Sequence, residues 1–140
     1  MKNIPHHLAA LATTLWVGGL WAIGYLAVPV LFHAQPDKQL AGMLAGQMFT
    51  ALGYSGFICG TYLLVYRLIV SGKAALQEPL FAVIAAMLAL TLVIQFGIQP
   101  LMADLKTQAA PLDVMQSAFA ERFKMWHGIS SILYLAESLL

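Results

Sequence analysis

Three stretches of this 140-residue chain run without a charged side chain: Leu8 to Phe32, Gln39 to Tyr66 and Leu80 to Ala103. Each is longer than the roughly 20 apolar residues a helix needs to cross about 30 Å of hydrocarbon. Inside hydrocarbon a backbone must satisfy its own N–H and C=O groups, which leaves helices or closed barrels, and these runs are too long and unbroken for barrel strands. Composition agrees, with 61% hydrophobic residues, 9% charged and a mean hydropathy of +0.80, far more apolar than a soluble domain. A fourth run from Met125 onward is interrupted by Glu137. The expected fold is all-α: an integral membrane four-helix antiparallel bundle. It forms a single transmembrane domain, 1–140, with helices at about 6–33, 38–70, 79–100 and 113–140.

The first run is read as a retained span, because its 25 uncharged residues exceed the apolar core of a signal peptide and an apolar remainder follows. The expected location is a bacterial inner membrane, with the lipid bilayer as the main partner. A net charge of +1, with Lys and Arg thinly spread, offers no field for nucleic acid. Lys2, Arg67 and Lys73 on one side stand against Lys38, Lys106, Arg122 and Lys124 on the other, so positive charge does not fix the orientation. The single cysteine, Cys59, excludes an intramolecular disulfide and reads as a small core residue.

Pro5 suits the first turn of the first helix, and steps of three and four gather His7, Leu11, Thr14, Gly18, Trp21, Tyr25 and Val28 on a face expected to turn inward. Asp37 is placed to cap the second helix. Along that helix Gly42, Gly46, Gly53, Gly56 and Gly60, with Phe49, form one stripe of small residues. Such a stripe lets a neighbouring backbone come close; a flat ligand such as a porphyrin against it is the alternative. In the third helix Thr91, Gln95 and Gln99 recur every fourth residue before Pro100, and buried amides need partners. Pro111 and Asp113 look like the start of the last helix, whose first two turns would stand outside the hydrocarbon. His127, Ser131, Tyr134 and Ser138 then line one side of it.

Comparing depth along four antiparallel spans predicts two polar groupings. The candidate intramembrane polar layer is His33, Gln47, Gln95, Gln99, Arg122 and His127, with His127 and the two glutamines of the third helix hydrogen-bonded together. Arg122 points away from His127 and is free to snorkel. His127 reads either as a structural histidine joining helices or as a ligand or proton relay. The second candidate cluster is His7, Arg67, Tyr134 and Glu137, in which His7 or Arg67 compensates Glu137. Met43, Met48, Met102, Met115 and Met125 fall near His33, and thioether with imidazole is what copper(I) selects, although methionine is also a common gap-filler. No enzyme motif is present: no HExxH, no GxSxG, no phosphate loop and no paired carboxylates.

Arg122-Phe123 followed by His127-Gly128-Ile129-Ser130, together with Pro29-Val30-Leu31-Phe32 and Pro100, resembles the small four-helix membrane family related to transmembrane protein 205. The chain departs from that pattern at Met48-Phe49-Thr50-Ala51 and Gly53-Tyr54, where no proline stands. The resemblance implies a multi-pass membrane protein of unsettled activity, associated with drug resistance and with no catalytic site. His7-Leu8 followed by Leu15-Trp16-Val17-Gly18-Gly19 is similar, over the first quarter of the chain, to the copper-resistance D family and to the haem-binding membrane protoporphyrinogen oxidase of bacteria.

Three classes of function follow. The first is transport of, or resistance to, a small solute or soft metal through the polar layer. The second is a haem-binding redox protein using His7 and His127. The third is a structural or assembly subunit, joined to a membrane partner or a second copy. The cofactor is left unassigned, and the first class is the leading expectation.

Overall fold

The computed structural model describes residues 4–140, so Lys2, counted above among the charges, lies outside the described residues. Four long helices make up the fold: α1 (Ile4–Ala34), α2 (Lys38–Ser71), α3 (Pro79–Ala109) and α4 (Ala120–Leu139). Short 3-10 turns at Gly72–Gln77 and Val114–Gln116 lie between them, and no strand occurs among the described residues. Three helices, α1, α2 with the turn that continues it, and α3, are long and apolar enough to cross a membrane. α4 holds Glu121, Arg122, Lys124 and Glu137 in its 20 residues and is not one of them.

The helix ends follow from local chemistry. Asp37 caps α2 as its sequence suggests, one carboxylate oxygen accepting from the N–H groups of Gln39 and Leu40 at 2.9 and 3.0 Å. Gly72 closes α2 with φ at +56°, a conformation in which an added Cβ would be strained.

Two expected boundaries are corrected. Pro100 does not end the third helix, which continues to Ala109, just as Pro29 does not end the first. In both places the helix widens into a π turn immediately upstream, Ala22–Ala27 before Pro29 and Val93–Ile98 before Pro100. There Val28 donates to the Ile23 carbonyl and Gln99 to the Ile94 carbonyl, five residues back. The extra residue clears the carbonyl that a proline ring would otherwise strike four positions earlier. The fourth helix begins at Ala120 rather than Asp113. Asp113 does accept from the Met115 N–H at 2.7 Å, but the chain it caps is only one 3-10 turn. Ser117 then breaks that turn by accepting from the Phe119 N–H at 3.1 Å.

The core lies where α1, α2 and α3 meet: Ala9, Trp16, Leu20, Leu52, Cys59, Leu63, Ile84 and Met87, with Tyr134 of α4 against it. The inward face of α1 is therefore Ala9, Trp16 and Leu20, not the face expected from the polar-tipped residues. Leu11 is 63% exposed, Thr14 and Gly18 are exposed, and Trp21 and Tyr25 remain about half exposed. The reason is steric. The Trp16 indole lies across Gly56 and Gly60, where an added Cβ would come within 2.6 and 2.8 Å of the ring. Going down α1, Trp16 meets Gly56 and Gly60, Gly19 meets Leu52 and Phe32 meets Gly42, so partners on α2 fall in number as α1 rises. A second, smaller cluster of Leu105, Ala109 and Val114, with Phe119, Phe123 and Trp126 packed on it, ties the end of α3 to the start of α4.

Replacing Gly56 by Ala should cost about 1–3 kcal/mol through overpacking against Trp16, whereas Gly46→Ala, with nothing within 4 Å of the added Cβ, should be near neutral. Unfolding of both variants in mixed micelles by increasing SDS measures the difference.

Candidate functional site

Glu137, near the end of α4, is 3% exposed, and two other helices supply its partners. Thr91 of α3, 4% exposed, places Oγ1 2.6 Å from Glu137 Oε1, and Trp16 of α1, 2% exposed, donates its Nε1–H to the same oxygen at 3.3 Å. Thr91 Oγ1 also lies 3.1 Å from the Met87 carbonyl, one turn back on its own helix. Glu137 takes part in no ion pair among the described residues. Thr91 stands twelve residues from each end of the uncharged stretch between Pro79 and Ala103, about 18 Å either way at 1.5 Å per residue. The carboxyl thus sits near the middle of the most apolar helix.

The next residue extends the junction. Ser138 Oγ is 2.6 Å from the Tyr25 hydroxyl and donates to the Leu135 carbonyl at 2.9 Å. The Ser138 carbonyl accepts from Trp21 Nε1 at 3.1 Å. Tyr134 donates its hydroxyl to the Leu20 carbonyl at 2.6 Å, taking the acceptor that Gly24 would use in a regular α-helix. Its ring fills the notch left by the missing side chain of Gly24 and meets Phe49 edge to face at 5.2 Å.

Of the second cluster expected from the sequence, Tyr134 and Glu137 come together, and the other two do not join them. Arg67 pairs with Glu78 across the turn between α2 and α3, both about a quarter exposed, and His7 is exposed beside His6. The compensation of Glu137 is therefore corrected: it comes from an indole N–H and a hydroxyl, because Glu137 lies level with Trp16, nine residues along α1 from His7. Hydrogen bonds from Arg67 and then Ser71 hold the Glu78 carboxyl below the usual range.

The first expected layer is not assembled: no hydrogen bond links any two of its six members among the described residues. His33, Gln47, Arg122 and His127 are exposed, Gln99 is half-buried and Gln95 is buried against Gly53 of α2. His127 stacks on Phe123 at 6.0 Å, while Phe123, Trp126 and Tyr134 take the inner side of α4. The glycine stripe divides between neighbours, with Gly56 and Gly60 under Trp16 and Gly53 under Gln95. Gly42 makes only an ordinary contact with Phe32, and Gly46 has open space. Met102 is buried, Met43, Met115 and Met125 are about half exposed, and Met48 lines a surface groove. No three His, Cys, Asp or Glu side chains form a metal-binding group among the described residues.

Sequence reasoning missed Trp16 and the pairing of Thr91. The available signals were the Gly56-x-x-x-Gly60 spacing, which leaves a notch that a backbone or a large ring can enter, and a hydroxyl at mid-helix in an otherwise apolar run.

The model of a family described as Domain of unknown function (DUF4149) matches residues 11–111, which take in most of the first three helices. No curated protein and no solved structure matches the chain.

The depressed Glu78 titration has a defined sign. Its stabilising contribution is complete above the ordinary glutamate range, about pH 4.3, and is lost as pH falls through the lower folded value. Glu78→Gln should therefore flatten the acid limb of a melting-temperature profile between pH 3 and 5, taken as a rough window. An unchanged limb would place the acid sensitivity elsewhere.

Proposed function

The chain belongs to the DUF4149 family, whose function is unknown, and we propose that it is an antiparallel four-helix bundle in a bacterial inner membrane that handles a small solute through the cluster around Glu137. The opposed order of partners along α1 and α2 supports the antiparallel arrangement. α4 packs beside the other three helices, with Glu137, third from its end, level with the middle of α3. Its one deep charge, Glu137, is turned away from lipid onto Trp16 and Thr91.

The single observation that carries the function is a carboxyl 3% exposed, near mid-depth, bonded to two other helices and paired with no cation among the described residues. Ionisable groups inside a membrane are expensive and mark substrate or ion paths. Carboxyl and hydroxyl oxygens are hard donors and suit a proton or hard cation better than copper(I). The resemblance to the family of transmembrane protein 205 belongs with this reading, since resistance is what it implies. The haem alternative draws on His7 and His127, both exposed, and on a glycine face that Trp16 and Gln95 occupy. An assembly role rests on no comparable feature.

Cells expressing the chain, grown over a panel of small cations and weak acids, should change in tolerance to at least one compound. Glu137→Gln, which keeps the side-chain shape and an acceptor oxygen, should abolish that change at equal membrane abundance. Equal tolerance in the two would sink the reading and leave Glu137 as a tie between helices.

A further inference from the structure

We infer that the ligand of this site is a proton, shared between Glu137 and Thr91. The inference rests on the reading above that Glu137 is the residue through which the protein handles its solute.

Two observations carry it. The first is the close packing around Glu137 Oε1. Glu137 Oε1 is in contact with Trp16 Nε1 and Thr91 Oγ1, the indole is wedged between Gly56 and Gly60, and Tyr134 fills the notch at Gly24. Two surface grooves, of about 580 and 490 Å³, lie away from Glu137. One runs along Ala27, Val30, Leu44 and Gln47, and the other along Pro5, Tyr62 and Tyr66. A proton needs none of this space.

The second observation is a count of hydrogens. Thr91 has one hydroxyl proton and two oxygens within reach, the Met87 carbonyl at 3.1 Å and Glu137 Oε1 at 2.6 Å. It cannot fully serve both while Glu137 is ionised. With Glu137 as carboxylate, Thr91 donates to Oε1 and its bond to Met87 is given up. A proton delivered from water forms an O–H bond at Oε1 that donates to Thr91 Oγ1, and the threonine turns its own hydrogen to the Met87 carbonyl. No covalent bond of threonine breaks, the charge on Glu137 is the only one that changes, and Trp16 donates to Oε1 in both states. The spacing found therefore accommodates the carboxyl with and without its proton. The titratable groups on the surrounding elements are Tyr25 on α1, Cys59 on α2 and Tyr134 on α4. α3 presents Thr91 and Met87, and no Lys, Arg or His bonds to the site among the described residues.

Infrared difference titration of the purified, lipid-reconstituted protein in H2O and D2O tests this. The wild type should show a carboxylic C=O band that grows as pH falls, moves on deuteration and is absent in Glu137→Gln. In Thr91→Val the band should shift to higher frequency as its hydrogen bond is lost, and in Thr91→Ser it should stay where the wild type has it. A wild type with no titrating carboxylic band that Glu137→Gln removes would overturn the proton as ligand, even if that variant loses the tolerance phenotype. A band unmoved in Thr91→Val would overturn the sharing with Thr91. A titrating band together with an unchanged phenotype in Glu137→Gln would support the proton pairing while the solute-handling reading fails.

Discussion

The indole of Trp16 is the contact on which the rest of the molecule depends. Its ring holds α1 to α2 by occupying the space above Gly56 and Gly60, and its Nε1–H holds α1 to α4 through Glu137. Thr91 brings α3 to the same oxygen. One large side chain thus sets the spacing of three helices. In hydrocarbon, where leucine gains nothing by leaving lipid for another leucine, close packing and polar ties must do the work of association. The Trp16 junction combines both within a few ångströms.

The surrounding contacts repeat this pairing of a notch with a polar tie. Tyr134 enters the gap at Gly24 and bonds the Leu20 carbonyl, and Trp21 and Tyr25 reach Ser138 by their polar tips while their rings stay half in contact with the surroundings. Aromatic residues with one polar end suit such places, since the ring is indifferent to lipid and the tip is not. α4, the least apolar helix, is held along its last turns almost wholly through these ties. Its polarity is turned to use where it meets α1 and α3.

Long uncharged runs made the helices and the cap at Asp37 legible in the sequence, because length, hydropathy and local hydrogen bonding act within one segment. Which face turns inward was not legible in α1. The polar tips of Trp21 and Tyr25 mark them as inward residues, yet Trp16 is buried because a glycine pair forty residues away leaves room for it. Glu137 stood out as the one charge in the last apolar run, but its partners required a depth comparison that a misplaced start of α4 distorted. His127 shares the helical phase of Phe123 and Tyr134, yet it is exposed and stacked on Phe123, a placement that residue type and spacing do not reveal.

The π turns before Pro29 and Pro100 have a consequence for how the two ends of the molecule relate. Each adds one residue to a turn, which rotates everything beyond it by about 100° relative to an unbroken helix. A face traced by regular steps from His7 to Val28 therefore cannot stay on one side. The core around Trp16 lies on one side of both wide turns and the cluster around Leu105 and Val114 on the other. Side chains before and after each wide turn therefore follow separate helical phases. α2 and α4 carry no wide turn among the described residues, so the change of phase falls on α1 and α3, the two helices that bring Trp16 and Thr91 to Glu137.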